Sequence, residues 1–182
     1  MTGMQIRDQL PEDAPAVRRA LTDAFADDGT VADLAEALLA RPDRPGPALV
    51  AEIDGAITGH VQLSRSWVDA APALVEVLVL SPLGVTPAQQ HRGLGRALCA
   101  AAVEQARALG APAVFLEGDP AYYSRLGWQR ASAHGFTAPS VRIPDVAFQV
   151  TLLSGHEPWM TGALVYNDTF WRFDCVGLRS AG

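Results

Sequence analysis

The sequence predicts a mixed α/β fold in a single domain, on three observations. Ala48–Ile53 and Ala56–Arg65 are β-compatible runs joined by Asp54-Gly55, a pair suited to a two-residue type I′ hairpin turn. Ala73–Leu80 is an apolar run long enough for a central strand buried on both faces. From Gly93 to Leu109 the apolar residues recur at helical spacing and stop at Gly110 and Pro112.

The other elements follow in chain order. Met4–Gln9 reads as a first strand. Pro11 opens a helix that carries Ala14, Val17, Leu21, Ala24 and Phe25 on one face. Thr30 and Asp33 have the spacing of a capping box before a second helix, which Arg41-Pro42 stops. Trp67–Pro72 reads as a loop before the central strand, and Pro82 should break that strand's pairing because proline has no N–H to donate. Beyond the long helix come a strand at Val114–Glu117, a short helix at Pro120–Leu126, and strands at Trp128–Ala133, Ala147–Leu153 and Ala163–Tyr166. The order is β-α-α-β-β-β-α-β-α-β-β, an α/β domain over 1–182 with a core at about 4–153 and a C-terminal extension at 154–182.

Composition narrows the chemistry. The 182 residues carry 14 Lys+Arg, all of them arginine, against 20 Asp+Glu, for a net charge of -6. Without lysine there is no ε-amine for a Schiff base and no P-loop lysine. The acidic balance argues against broad nucleic-acid or anionic-membrane binding. Cys99 and Cys175 lie far apart without zinc-ligand spacing, and His60 and His156 have no metal-ligand neighbour, so no metal site is expected and both thiols are expected free. MTGMQIRDQL lacks the basic and apolar regions of a signal peptide, and no run approaches about 18 apolar residues. A cytoplasmic protein is expected. No G-x-S-x-G nucleophile signature occurs.

Leu83 to Arg96 is the most informative segment. A strand passes through a glycine-containing turn into a helix, whose first N–H groups lack internal partners and carry the positive end of the dipole. Gly93 and Gly95 let an anion approach the backbone, and Arg92 and Arg96 add forked donors suited to phosphate. A dinucleotide fingerprint would need a further glycine at position 91, which is His.

Gln90-His-Arg-Gly93-Leu-Gly95 resembles the Q/R-x-x-G-x-G/A motif of the GNAT superfamily of N-acetyltransferases. Pro82-Leu-Gly-Val85 with Pro87 resembles the P-L-A-V-x-P end of that family's fourth strand. Gly118-Asp-Pro-Ala-Tyr-Tyr-Ser-Arg-Leu-Gly-Trp128 resembles the Y-Y-x-R-x-G-F helix of a branch of small bacterial acetyltransferases. Gly84 stands where that pattern has Ala, and Trp128 where it has Phe. Ser81 and Glu117 stand where small or apolar residues are expected. The similarity covers most of the chain from Ile6 onward.

This resemblance implies a mostly antiparallel central sheet flanked by helices, and acetyl-CoA as cosubstrate. It implies that the backbone of Leu83, Gly84 and Val85 meets the pantetheine arm. It also implies that Gln90, His91, Arg92, Gly93, Leu94, Gly95 and Arg96 cradle the pyrophosphate. Tyr123 is implied as general acid toward the departing thiolate and as a cofactor contact, and the Val85 N–H is a candidate oxyanion donor. An amine acceptor must lose a proton before it attacks, since its pKa lies near 10. Glu117 is the first candidate for that base, Glu76 and His134 follow, and a water chain is the alternative. The acceptor is an unidentified small molecule or peptide. An acyl-CoA-binding sensor without turnover, a longer acyl chain and an oxygen acceptor stay open alternatives. The tail strand offers an edge for a homodimer.

Overall fold

The computed structural model describes residues 3–43 and 46–179. They group into two compact units interleaved along the chain, one within Met1–Ser64 and Leu80–Gln105, the other within Arg65–Val79 and Ala106–Gly182. Two long strands, β3 (Ala56–Ala70) and β4 (Leu74–Val85), each contribute to both units.

In the first unit, β1 (Met4–Asp8) pairs antiparallel with β2 (Ala48–Ile53), and β2 with the start of β3. Asp54 and Gly55 both have positive φ, 50° and 80°, as a type I′ turn requires. Helices α1 (Ala14–Phe25) and α2 (Thr30–Leu39) bury Val17, Leu21, Ala32 and Ala35 against Val50 of β2. Leu21 has no exposed surface, and burial of such a side chain contributes about 2 kcal/mol of transfer free energy. Helix α3 (Leu94–Ala108) turns the fully buried Leu98 toward β3 at Gly59, where a Cβ would lie 2.9 Å from Leu98 Cδ1.

In the second unit, β4 runs parallel to β5 (Ala113–Glu117) at Leu78–Val114 and Val79–Phe115. Strand β5 pairs antiparallel with β8 (Phe148–Leu152), and β8 with the short β6 (Gln129–Arg130). The end of β3 pairs antiparallel with β9 (Gly162–Val165), which also runs parallel to β7 (Phe136–Thr137). Phe115 centres this core, edge-on to Phe136 at 4.9 Å and stacked on Phe148 at 5.6 Å. Helix α4 (Pro120–Tyr123) continues as one 3-10 turn over Ser124–Leu126, and α5 (Asp168–Arg172) is capped by the Asn167 side chain. The sheet order is β1-β2-β3-β4-β5-β8-β6, with β9 beside β3 and β7, so the sheet is mostly antiparallel and flanked by helices. No helix among the described residues is long and apolar enough to cross a membrane. Neither Cys99 nor Cys175 forms a disulfide among the described residues.

Several local expectations change. Gly29, with φ 97°, is the N-cap of α2 in place of Thr30. The Asp27 carboxylate takes the N–H groups of Gly29 and Val31, and Asp28 takes that of Thr30. Asp33 pairs instead with Arg18 at 2.7 Å. Two consecutive aspartates before the helix outcompete the more distant capping box, because they reach the orphan donors directly. Trp67–Ala70 is strand and not loop, since β9 supplies a distant partner that local sequence does not reveal. Pro82 does not end β4, which reaches Val85. A proline removes only its own donor, and the Thr86 N–H still reaches the Thr58 carbonyl at 2.8 Å. Only Gln129–Arg130 of Trp128–Ala133 is strand, because Ala131–His134 coils into a 3-10 turn closed by Gly135 at φ 82°. Both-face burial of the central strand holds at Val77–Leu80, while Leu74 and Glu76 are exposed.

Candidate functional site

One group of candidate residues, in the first unit, occupies the passage from β4 into α3. After Val85 the chain makes a 3-10 turn at Pro87–Gln89, then passes through His91 at φ 60° and Gly93 at φ 86°. The Gln90 side chain folds back and donates from Nε2 to the Val85 carbonyl at 2.9 Å, tying the loop to the strand end. The first internal bond of α3 runs from the Ala97 N–H to the Gly93 carbonyl at 3.0 Å. The amides of Leu94, Gly95 and Arg96 therefore have no intrahelical acceptor. Leu94 is buried and anchors this turn, while His91, Arg92, Gly93 and Arg96 are exposed. No atom lies within 4 Å of a Cβ built on Gly93, so glycine is needed there for its φ and leaves the backbone open.

Charge supports the same reading. No acidic residue occurs between Glu76 and Glu104, although the chain is acidic as a whole. Arg7, Arg18, Arg65 and Arg142 are each paired with carboxylates. Among the described residues Arg92 and Arg96 have no such partner, and Arg92 touches only the Gln89 amide oxygen at 3.5 Å. Free amides, a helix dipole and two uncommitted guanidiniums fit a phosphate or pyrophosphate group.

Gly84 belongs to this group as well. A Cβ on it would stand 3.0 Å from Leu21, 3.1 Å from Ala24 and 3.2 Å from Phe25, so α1 lies directly on the strand backbone. Helix α1 thus explains why glycine stands where the motif has alanine.

A separate group of candidate residues, in the second unit, lies at the end of β5. Asp119 caps α4 by accepting from the Ala121 N–H at 2.8 Å, and the chain leaves through Gly127 at φ 88°. Tyr123 is half-buried, edge-on to Tyr122 at 4.9 Å and to Trp128 at 6.1 Å. Its ring lies against Gly118, where a Cβ would come within 2.5 Å of Tyr123 Cε2. Gly118 thus leaves room for the Tyr123 ring, a role that the sequence reading did not assign to it although it stands one residue beyond β5 and five before the tyrosine.

The base candidates separate by environment. Glu76 is exposed and ion-paired with Arg65, which stacks over Trp67 at 5.8 Å. His134 is half-buried at the end of its 3-10 turn. Glu117 is exposed by surface area, yet desolvation of its carboxyl raises its pKa, opposed by the Gly177 backbone amide and the Arg142 charge. Arg142 is itself held by Asp174 at 3.1 Å and by the Gly177 carbonyl at 3.4 Å. The phenol of Tyr166 is pushed up by burial and by the nearby Glu117 charge. Glu117 therefore sits among C-terminal residues that no motif had indicated. No cluster of three metal-ligating side chains occurs among the described residues.

The chain is similar to known proteins in sequence and in fold. Residues 14–128 match the model of the acetyltransferase (GNAT) family. Over 178 residues the chain is 33% identical to YhbS of Escherichia coli, an uncharacterised N-acetyltransferase, covering 93% of this chain and all of that one. It is 32% identical over 168 residues to YjhQ, another uncharacterised N-acetyltransferase of the same organism, covering 84% and 92% of the two chains. The crystal structure of Escherichia coli YhbS in complex with CoA superposes with a TM-score of 0.82 at 29% identity, over 95% of this chain and 94% of that one. A Brucella melitensis GNAT acetyltransferase in complex with acetyl-CoA gives a TM-score of 0.74 at 28% identity, over 92% and 98%. Loop, fold and relatives converge: the chain belongs to the GNAT family of acetyltransferases.

Proposed function

We propose that this protein is an N-acetyltransferase that takes acetyl-CoA as cosubstrate and acetylates an amine by direct attack. The observation that carries this reading is the open first turn of α3, with its free amides at Leu94–Arg96 in a stretch devoid of carboxylates. The CoA and acetyl-CoA bound by the two structural relatives support it.

Bound acetyl-CoA supplies an activated acetyl group and a thiol leaving group. The amides of His91 through Arg96 hold the pyrophosphate, with Arg92 and Arg96 adding charge. Leu83, Gly84 and Val85 offer backbone groups to the pantetheine arm, and Gln90 fixes the strand end that carries them. The Val85 N–H stabilises the negative charge that develops on the thioester oxygen. Glu117, whose raised pKa makes it a stronger base than an ordinary carboxylate, takes the amine proton. Tyr123 Oη gives a proton to the departing sulfur. Thiols ionise near pH 8.5, so this proton assists the step and is not indispensable.

The test has two stages. Calorimetry should show acetyl-CoA binding, and an amine panel read by released thiol should show turnover. Tyr123→Phe should lower kcat about a hundredfold, the lower end of the range for general-acid groups, with CoA affinity nearly unchanged. Loss of affinity at unchanged kcat would remove the role of Tyr123. Absence of CoA binding would end the reading, and binding without turnover on any amine would point to a sensor.

A further inference from the structure

Four residues bear on the Glu117 carboxyl, directly or through a partner: Arg142, Tyr166, Asp174 and Gly177. All lie beyond residue 128, where the match to the family model ends, and all belong to the second unit together with Glu117. The family motifs therefore do not account for how this carboxyl is held.

Arg142 ties the group together. Its side chain is 19% exposed, and Nη1 donates to Asp174 Oδ1 at 3.1 Å and to the Gly177 carbonyl at 3.4 Å. The segment it grips is closely fitted. Val176 is fully buried, and Asp174 and Gly177 both take positive φ, 53° and 65°. A Cβ on Gly177 would stand 2.6 Å from the Arg142 carbonyl carbon and oxygen, so only glycine lets the two backbones approach this far. Arg179 holds the other oxygen of Asp174, donating from Nε at 2.6 Å.

This arrangement acts on Glu117 against its burial. Desolvation disfavours the ionised carboxylate, whereas the Gly177 N–H, as a donor, and the Arg142 charge favour it. Tyr166 also faces the carboxyl, but its buried phenol stays uncharged and lies against Phe170, ring centroids 4.7 Å apart. The Asp174 charge is engaged by Arg142 and Arg179. Glu117 keeps an exposed surface that an amine can reach. A general base needs this balance: ionised at working pH, yet more basic than an ordinary surface carboxylate.

We propose that Arg142 is a positioning residue for Glu117. By fastening Asp174–Gly177 it holds the Gly177 amide and its own charge toward the carboxyl, so the C-terminal extension is part of the acceptor end of the site. The catalytic consequence rests on the reading of Glu117 as base.

Carbon-13 spectra of the side-chain carboxyls test this in the full chain, without CoA or amine, with Glu117 assigned by the signal lost in Glu117→Gln. Arg142→Met keeps an aliphatic stem and removes the charge and both hydrogen bonds. The Glu117 titration should then move to higher pH. Arg142→Lys, which restores the charge, should bring it back most of the way. Should Arg142→Met not fold, Arg142→Gln carries the same expectation. Coincident titrations in wild type and Arg142→Met would overturn the proposal, and so would a lysine variant that behaves like methionine. A move to lower pH would overturn it too, because Arg142 would then maintain the burial of Glu117 and not the groups that offset it. Glu117→Gln, assayed for thiol release with acetyl-CoA and the amine panel, tests the base reading separately. Unchanged turnover there, with the titration displaced in Arg142→Met, removes the base and keeps the positioning. Lost turnover with an undisplaced titration does the reverse.

Discussion

His60 couples folding to pH through the burial of its imidazole. Its folded pKa is lowered to about 4 from an ordinary 6.5. As pH falls through 6.5 the unfolded chain takes up a proton, while the buried ring stays neutral until about 4. Stability is therefore fully present above 6.5 and lost as pH falls toward 4, by up to about 3 kcal/mol. Arg18 and Glu36 line a pocket that His60 also borders and neutralise each other, so neither reverses that sign. Asp13 acts in a lower window. Its hydrogen bonds from Arg7 hold its pKa below 3.8, so the stability it contributes persists until more acid pH. Glu117, with a raised pKa, contributes in the opposite sense, since its share is lost as pH rises. Urea midpoints at pH 7 and pH 4.5 should separate these effects. Wild type should lose clearly more stability over that interval than His60→Phe. Parallel losses in the two proteins would mean that His60 is solvated in solution.

At the level of packed elements, Gly84 decides how closely α1 approaches β4. Gly84→Ala places the residue usual in the family motif, yet here its methyl would meet Leu21, Ala24 and Phe25 at 3.0–3.2 Å. Overpacking of this kind costs about 1–3 kcal/mol. Helix α1 must shift, and a melting temperature unchanged in Gly84→Ala would show that the helix already stands off the strand. The motif displayed the glycine, but the helix that requires it lies some sixty residues away in sequence, out of reach of local pattern. The same division runs through the molecule. The Asp54-Gly55 turn, the start of α3 and the Gly127 stop of α4 were legible because backbone sterics and orphan amides act within a few residues. The extension of β3 through Ala70, the short β7 and the surroundings of Glu117 were not, because each depends on a distant segment. The alternation of His60, Gln62, Ser64 and Ser66 was visible in the sequence. An all-polar face on a strand ordinarily means solvent, and only the helices show that this one is buried.

Across the whole molecule the absence of lysine acquires a chemical consequence. A net charge of -6 draws a protonated amine toward the protein, while the acid-free stretch from Val77 to Val103 keeps one region hospitable to phosphate. With no lysine in the chain, the permanently charged side chains open to such a phosphate are arginines, which are poor nucleophiles. An acetyltransferase that stores acetyl-CoA beside lysine side chains risks acetylating itself, since any deprotonated ε-amine competes with the acceptor. This chain offers no internal amine to compete. Prolonged incubation with labelled acetyl-CoA and no acceptor should therefore leave no amide-linked label at any internal side chain. A base-labile label on Cys99, Cys175 or a hydroxyl is compatible with that chemistry, and hydroxylamine would remove it. Tryptic and chymotryptic peptides carrying hydroxylamine-resistant acetyl groups away from the chain's first residue would contradict it. The same sample measures the slow loss of acetyl-CoA to water, which sets the background for every acceptor screen. If thiol release without acceptor matches the free labelled acetate formed, all uncoupled turnover is hydrolysis, and the protein itself is not a substrate.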